Sequence, residues 1–212
     1  MLSGDQAATR TVVAVFGVLA ALAGVEHGVG EVLQGSLAPE GLVIRSWPGH
    51  EGFEALDGEP ALTVIPNLLV SGAVTVVVAV SLGAWAITGM DRRHGAVVLV
   101  GLSLLLLAVG GGVGPPLLGV ILGFGAWRVT VPTRPPGSVR RLLIKVWPWA
   151  LGAGVVGYLG LVPGTLVWHT LWGDPPEAVV YGLMVLAFAG VLLALLGARN
   201  DDRHLPGAPV RS

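Results

Sequence analysis

The stretch GVEHGVGEVLQG, residues 24–35, brings two carboxylates, an imidazole and an amide together at the end of an apolar run, TVVAVFGVLAALAG, that begins at Thr11. Carboxylates and imidazoles exchange protons, bind cations and ligate metals such as zinc. Their spacing here gives them one direction. At 100° per residue, Glu26, His27, Gly30, Glu31 and Gln34 share an arc of about 140°, while Val25, Val29, Val32 and Leu33 take the opposite side. His27 and Glu31, four residues apart, are neighbours on that face. A charge facing lipid at this depth would cost several kcal/mol, so the arc must face protein or water.

Other segments offer partners. Thr63, Asn67, Ser71 and Thr75 recur every four residues and form a polar stripe down a second apolar helix. PGTLVWHTLW places Thr165 and His169 four apart, beyond a break expected at Pro163-Gly164. The candidate ligand- or ion-binding set is therefore Glu26, His27, Glu31, Thr63, Asn67 and His169, gathered towards the outer third of a membrane.

Three chemistries fit that set. The favoured one is a cation, proton or small-solute site at the bottom of an outer vestibule, serving transport or ligand sensing. The alternative is a metal-dependent membrane-embedded enzyme. There His27, Glu31 and Glu26 would hold a divalent ion such as zinc, with His169 as a substitute third ligand, an open position for water and a spare carboxylate as general base. The H-E-x-x-H arrangement is absent. In the third, the polar groups are interhelical glue in a structural or accessory subunit, although neutral amides and hydroxyls would do that at lower cost than two carboxylates.

The elements that must carry these residues are membrane helices. Hydrophobic residues make up 53% of the 212 and charged residues 12%, about half the charge of an ordinary soluble domain, and the mean hydropathy is +0.79. Apolar blocks at 11–34, 62–90, 95–112, 115–131, 141–162 and 177–198 predict an all-α, polytopic bundle of six spans in a single integral membrane domain, 1–212. The third and fourth blocks are short, so a re-entrant hairpin is the alternative for that pair. Of the 12 Lys and Arg residues, all but Arg45 fall on one side, which assigns both termini to the cytoplasm and the chain to the cytoplasmic (inner) membrane. On that side lie a basic loop at 132–141 and a tail at 199–212. An acidic loop at 35–61 lies outside, and its SWPGHEGFEALDGEP could fold over the vestibule as a lid carrying His50. All 7 Trp sit near span ends or in an outer loop, where an indole suits the headgroup level. Arg10, the apolar run and Ala21-Leu22-Ala23 also fit a cleaved signal peptide, but the n-region is weakly basic and a retained first helix is expected.

Several functions are excluded or disfavoured. The chain has no cysteine, hence no disulfide and no thiolate metal site. GGGVGPP lacks the Lys-Ser/Thr that a phosphate loop requires. The basic loop suits orientation and anionic lipid rather than nucleic acid. Partners are the bilayer, an unidentified solute or cation, and a second copy if a pore is formed.

GVEHGVGEVLQG, SWPGHEGFEALDGEPALTVIPNLLVSG and GGGVGPPLLG together resemble a group of bacterial multi-pass membrane proteins without an assigned activity, over most of residues 20–125. The resemblance implies a membrane location and brings no cofactor or substrate.

Overall fold

The computed structural model describes residues 7–127 and 137–202, apart from the side chains of 54, 55 and 162. Residues 132–136, half of the expected basic loop, and the tail beyond 202 therefore lie outside the described residues. Among the described residues, four helices are long and apolar enough to cross a membrane: α1 (Ala7–Gln34), α2 (Leu68–Thr88), α5 (Ser138–Leu159) and α7 (Glu177–Asp202). Between α2 and α5 come α3 (Gly95–Val109) and α4 (Gly114–Ala126), with 15 and 13 residues. At 1.5 Å per residue they reach about 22 and 20 Å, short of the roughly 30 Å of a hydrocarbon core. They correspond to the short third and fourth blocks.

Helix ends follow local chemistry. Asn67 caps α2, accepting the Val70 N–H at 3.1 Å. Pro115 and Pro116 stand at the start of α4, where a missing N–H costs nothing. The N–H groups of Ala8 and Thr9 donate to the Asp202 carboxylate, at 2.8 and 2.9 Å, so the last helix caps the first. Residues 199–202, expected as tail, are thus the final turn of α7, held also by Trp147 Nε1, which donates to Asp201 at 3.0 Å. The expected break at Pro163-Gly164 is a wide π-turn over Gly160–Gly164, after which α6 (Thr165–Trp172) continues. Proline there removes a helical hydrogen bond, and the wider turn accommodates the ring.

The core forms where α1 meets α2, α4 and α7, with α3 packed against α2 and α4, around Phe16, Leu82, Leu99, Leu122 and Val191. Close approach rests on glycine. A Cβ on Gly28 of α1 would lie 2.7 Å from the Gly72 carbonyl of α2, and one on Gly157 of α5 would lie 2.6 Å from the Ala187 nitrogen of α7. Such small-residue contacts are how apolar helices associate when the surrounding lipid is equally apolar. The outward face of α5 is bare, with Trp149 81% exposed.

The loop between α1 and α2 is folded. Strands β1 (Val43–Arg45) and β2 (Pro60–Leu62) pair antiparallel, with Val43 opposite Leu62. Ser46 and Trp47 extend the ladder by donating to the carbonyls of Glu59 and Gly58. A 3-10 helix (Glu51–Leu56) fills the connection. Trp47 stacks on Phe53 with ring centroids 4.9 Å apart, and His50 meets both rings edge-on. The Trp47 ring also lies against Gly30, and Gln34 donates to the Ser46 carbonyl at 2.9 Å. This lid is therefore fastened to the end of α1.

Candidate functional site

The polar arc of α1 divides between two places. Glu31 is fully buried, at 0% exposure, between α2 and the tip of the α3–α4 hairpin. Gly110, with φ +117°, presses its backbone against the carboxylate, where any Cβ would collide. Neither carboxylate oxygen receives a hydrogen bond among the described residues. The neighbouring hydroxyls are occupied. Ile65 N–H donates to Thr63 Oγ1 at 3.1 Å, Thr63 pairs with Ser71 at 2.7 Å, and Ser71 and Thr75 both donate to the Val109 carbonyl, at 2.8 and 2.5 Å. A helix leaves its last carbonyls unpaired. The stripe on α2 satisfies those of α3, helped by Val64 N–H on the Ala108 carbonyl at 3.0 Å.

The stripe thus has a different occupation from the one the sequence suggested. Thr63, Ser71 and Thr75 close the end of α3. Asn67 caps α2 and donates to Ser36 Oγ at 2.8 Å. His169 pairs with Asp174 at 3.0 Å and is not part of the group formed by Glu26, His27 and Glu59.

The second place gathers Glu26, His27 and Glu59. His27 Nδ1 lies 3.2 Å from Glu26 Oε2, 3.2 Å from Glu59 Oε2 and 3.0 Å from the Ala23 carbonyl. One N–H can serve one of these three oxygens, and the Ala23 carbonyl has the hydrogen-bonding geometry. Among the described residues, both Glu26 oxygens and Glu59 Oε2 are left without a donor. His27 is 6% exposed and Glu59 5%. Across the imidazole, Gly112 (φ +71°) lies against Nε2, where a Cβ would collide. The GGGVG turn therefore supplies the contact surface for both Glu31 and His27.

Glu59 reaches this position from the lid. Along residues 59–63, Glu59, Ala61 and Thr63 are buried while Pro60 is exposed and Leu62 half-buried, the period of two expected of a strand. Glu59 itself has φ +55°, beside Gly58 at φ +66°. The lid residue was missed because its segment reads as an acidic loop, yet the alternation E-P-A-L-T was a usable signal. Burial pushes the Glu59 carboxyl up to about 8, against the partial opposition of the nearby His27.

Glu26, His27 and Glu59 each offer a ligand atom, and these atoms lie within 4.8 Å of one another. Glu59 stands where Glu31 was expected in a metal-ligand set. His27 and Glu59 also open onto a cavity of about 610 Å³, whose other walls include Tyr158, Phe188, Asp174 and Glu177. That volume is in the range of small-molecule sites. Four groups able to carry or share charge thus meet an aromatic and apolar interior. Comparison with protein-family models, curated proteins and solved structures finds no match.

Proposed function

We propose that this chain is a multi-pass protein of the cytoplasmic membrane, both termini inside, whose outward-facing pocket binds a small cation in transport or sensing. The α3–α4 pair then forms a hairpin entered from the cytoplasmic side, its tip held under the lid. The distribution of Lys and Arg supports this orientation, and the four apolar helices support the location.

The observation that carries the reading is the convergence of Glu59, Asp174 and Glu177 with His27 on one cavity. Carboxylates around a concave, low-dielectric surface concentrate cations from the outer solution. Asp174 and Glu177 stand where an entering ion passes, and Glu59 and His27 where it stops. The test is thermal unfolding of detergent-purified protein in a series of monovalent, divalent and organic cations at constant ionic strength. Stabilisation by one class, lost in Glu59→Gln, supports the reading; indifference to every cation overturns it. Flux in proteoliposomes then separates a transporter from a sensor.

A further inference from the structure

We infer that Glu26, His27 and Glu59 form a binding site for a divalent transition-metal ion, with zinc the first expectation. The inference deepens the cation reading by naming the ion class, and it rests on that reading only for the route of entry. Three independent features of the cluster point the same way.

The first is spacing. Zinc binds nitrogen and carboxylate oxygen at about 2.0–2.2 Å, so two ligand atoms on one tetrahedral ion stand about 3.3 Å apart. Nδ1 of His27 is 3.2 Å from each of the two Oε2 atoms. An ion at their common centre needs only a small closing movement of side chains already in place.

The second is unmet bonding. Glu59 is 95% buried by its 5% exposure, and its Oε2 is aimed at His27 without receiving a hydrogen bond. Both oxygens of Glu26 are in the same condition. Buried carboxylates without donors are costly, and metal ligation is one of the arrangements that offsets the cost. Two ionised carboxylates and one neutral imidazole also balance the charge of a divalent ion. When the ion binds, the ring proton of His27 moves from Nδ1 to Nε2, the Glu59 carboxyl gives its proton to solvent, the Nδ1 lone pair takes the metal, and the Ala23 carbonyl is released from its hydrogen bond.

The third is access. His27 and Glu59 line the cavity, so a remaining coordination position faces space that water or a ligand can fill. That is the arrangement of an open zinc site rather than a closed structural one. The donor set also argues for its ion: nitrogen with carboxylate suits zinc, manganese, iron or cobalt, while calcium prefers six to eight oxygens.

The experiment is metal analysis on full-length protein purified without chelator, then stripped and reloaded with zinc alone, for wild type, His27→Ala, Glu59→Gln and Glu31→Gln. Near-stoichiometric zinc is expected in wild type and in Glu31→Gln. In His27→Ala and Glu59→Gln the affinity should fall at least about 100-fold, beyond the effect of losing an outer-shell partner. Cobalt loading of wild type gives a second readout that does not depend on any variant folding. Visible absorption bands of a low-coordinate cobalt site are expected, and zinc should displace them. Wild type that takes up neither zinc nor cobalt overturns the site, as does zinc binding unchanged in a folded Glu59→Gln. If zinc fails while another cation still stabilises the protein, the metal site falls and the cation pocket stands; if every cation fails, both fall.

Discussion

Glu31 and Glu59 are both carboxylates hidden from solvent, and they sit on opposite sides of the same question. Glu31 is carried by α1 into a chamber closed by Gly110, where the nearby hydroxyls are committed to the end of α3. Glu59 arrives from the lid, one residue before β2, beside an imidazole and a second carboxylate, at the wall of a cavity. Burial is common to both; the difference lies in neighbours and access. Among the described residues the Glu31 carboxylate receives no hydrogen bond, whereas Glu59 has His27 beside it and lines a cavity. A buried acid is a candidate for structure or for binding, and geometry around it separates the two.

That comparison can be broken most forcefully at the turn that touches both groups. Alanine at Gly110 or Gly112 faces a left-handed backbone and a collision, and should cost more than about 2 kcal/mol at either position. Gly112→Ala should also weaken zinc binding, because the new methyl displaces His27, while Gly110→Ala should leave it intact in the folded fraction. Thermal unfolding with and without zinc reads both effects. Equal loss of zinc binding in the two variants would erase the distinction.

The next effect is in the pH response of protein stripped of metal. The folded-state value of Glu59, about 8, exceeds its ordinary 4.5. Its contribution to stability is therefore full below about pH 4.5 and is lost as pH rises through about 8. Thermal midpoints from pH 5 to 9 should fall more steeply in wild type than in Glu59→Gln, and matching slopes would show that Glu59 is not the group responsible. A smaller change is expected at the other carboxylate. Glu31→Leu exchanges a buried acid lacking donors for an apolar side chain of similar bulk, and should shift stability by less than about 1 kcal/mol or raise it. A large loss would mean that Glu31 holds something of its own. Smallest of all is Arg45→Ala, since the Arg45–Asp57 pair at 3.0 Å is well exposed on both sides. Chemical denaturation should register less than about 0.5 kcal/mol.

Much of this was written locally in the chain. The polar arc of α1 follows from a single helical period, and the break near Pro163 follows from the chemistry of proline. Asn67 before an apolar run was legible as a polar group at the right depth, but its role as a helix cap depends on where the helix begins. The fate of Ser71 and Thr75 was not legible, because the carbonyl they satisfy belongs to Val109, on another helix. Glu59 was hidden for a similar reason. Only the pairing of β1 with β2, and the seating of Trp47 on Gly30, bring it to His27. Helix faces are encoded over a few neighbouring residues; a site assembled from a helix and a lid is encoded in contacts that no window spans.

The cap that Asp202 places on α1 also has a temporal side. Its hydrogen bond to Ala8 joins residues 194 positions apart. At about 5–20 residues per second of synthesis, the first helix waits roughly 10–40 s for its cap. During that interval its leading N–H groups must be served by water or lipid headgroups, and the bundle stays unlatched at that end. The last residues of α7 thus close the bundle at that end, and a chain that stops before Asp202 would leave the first turn of α1 uncapped.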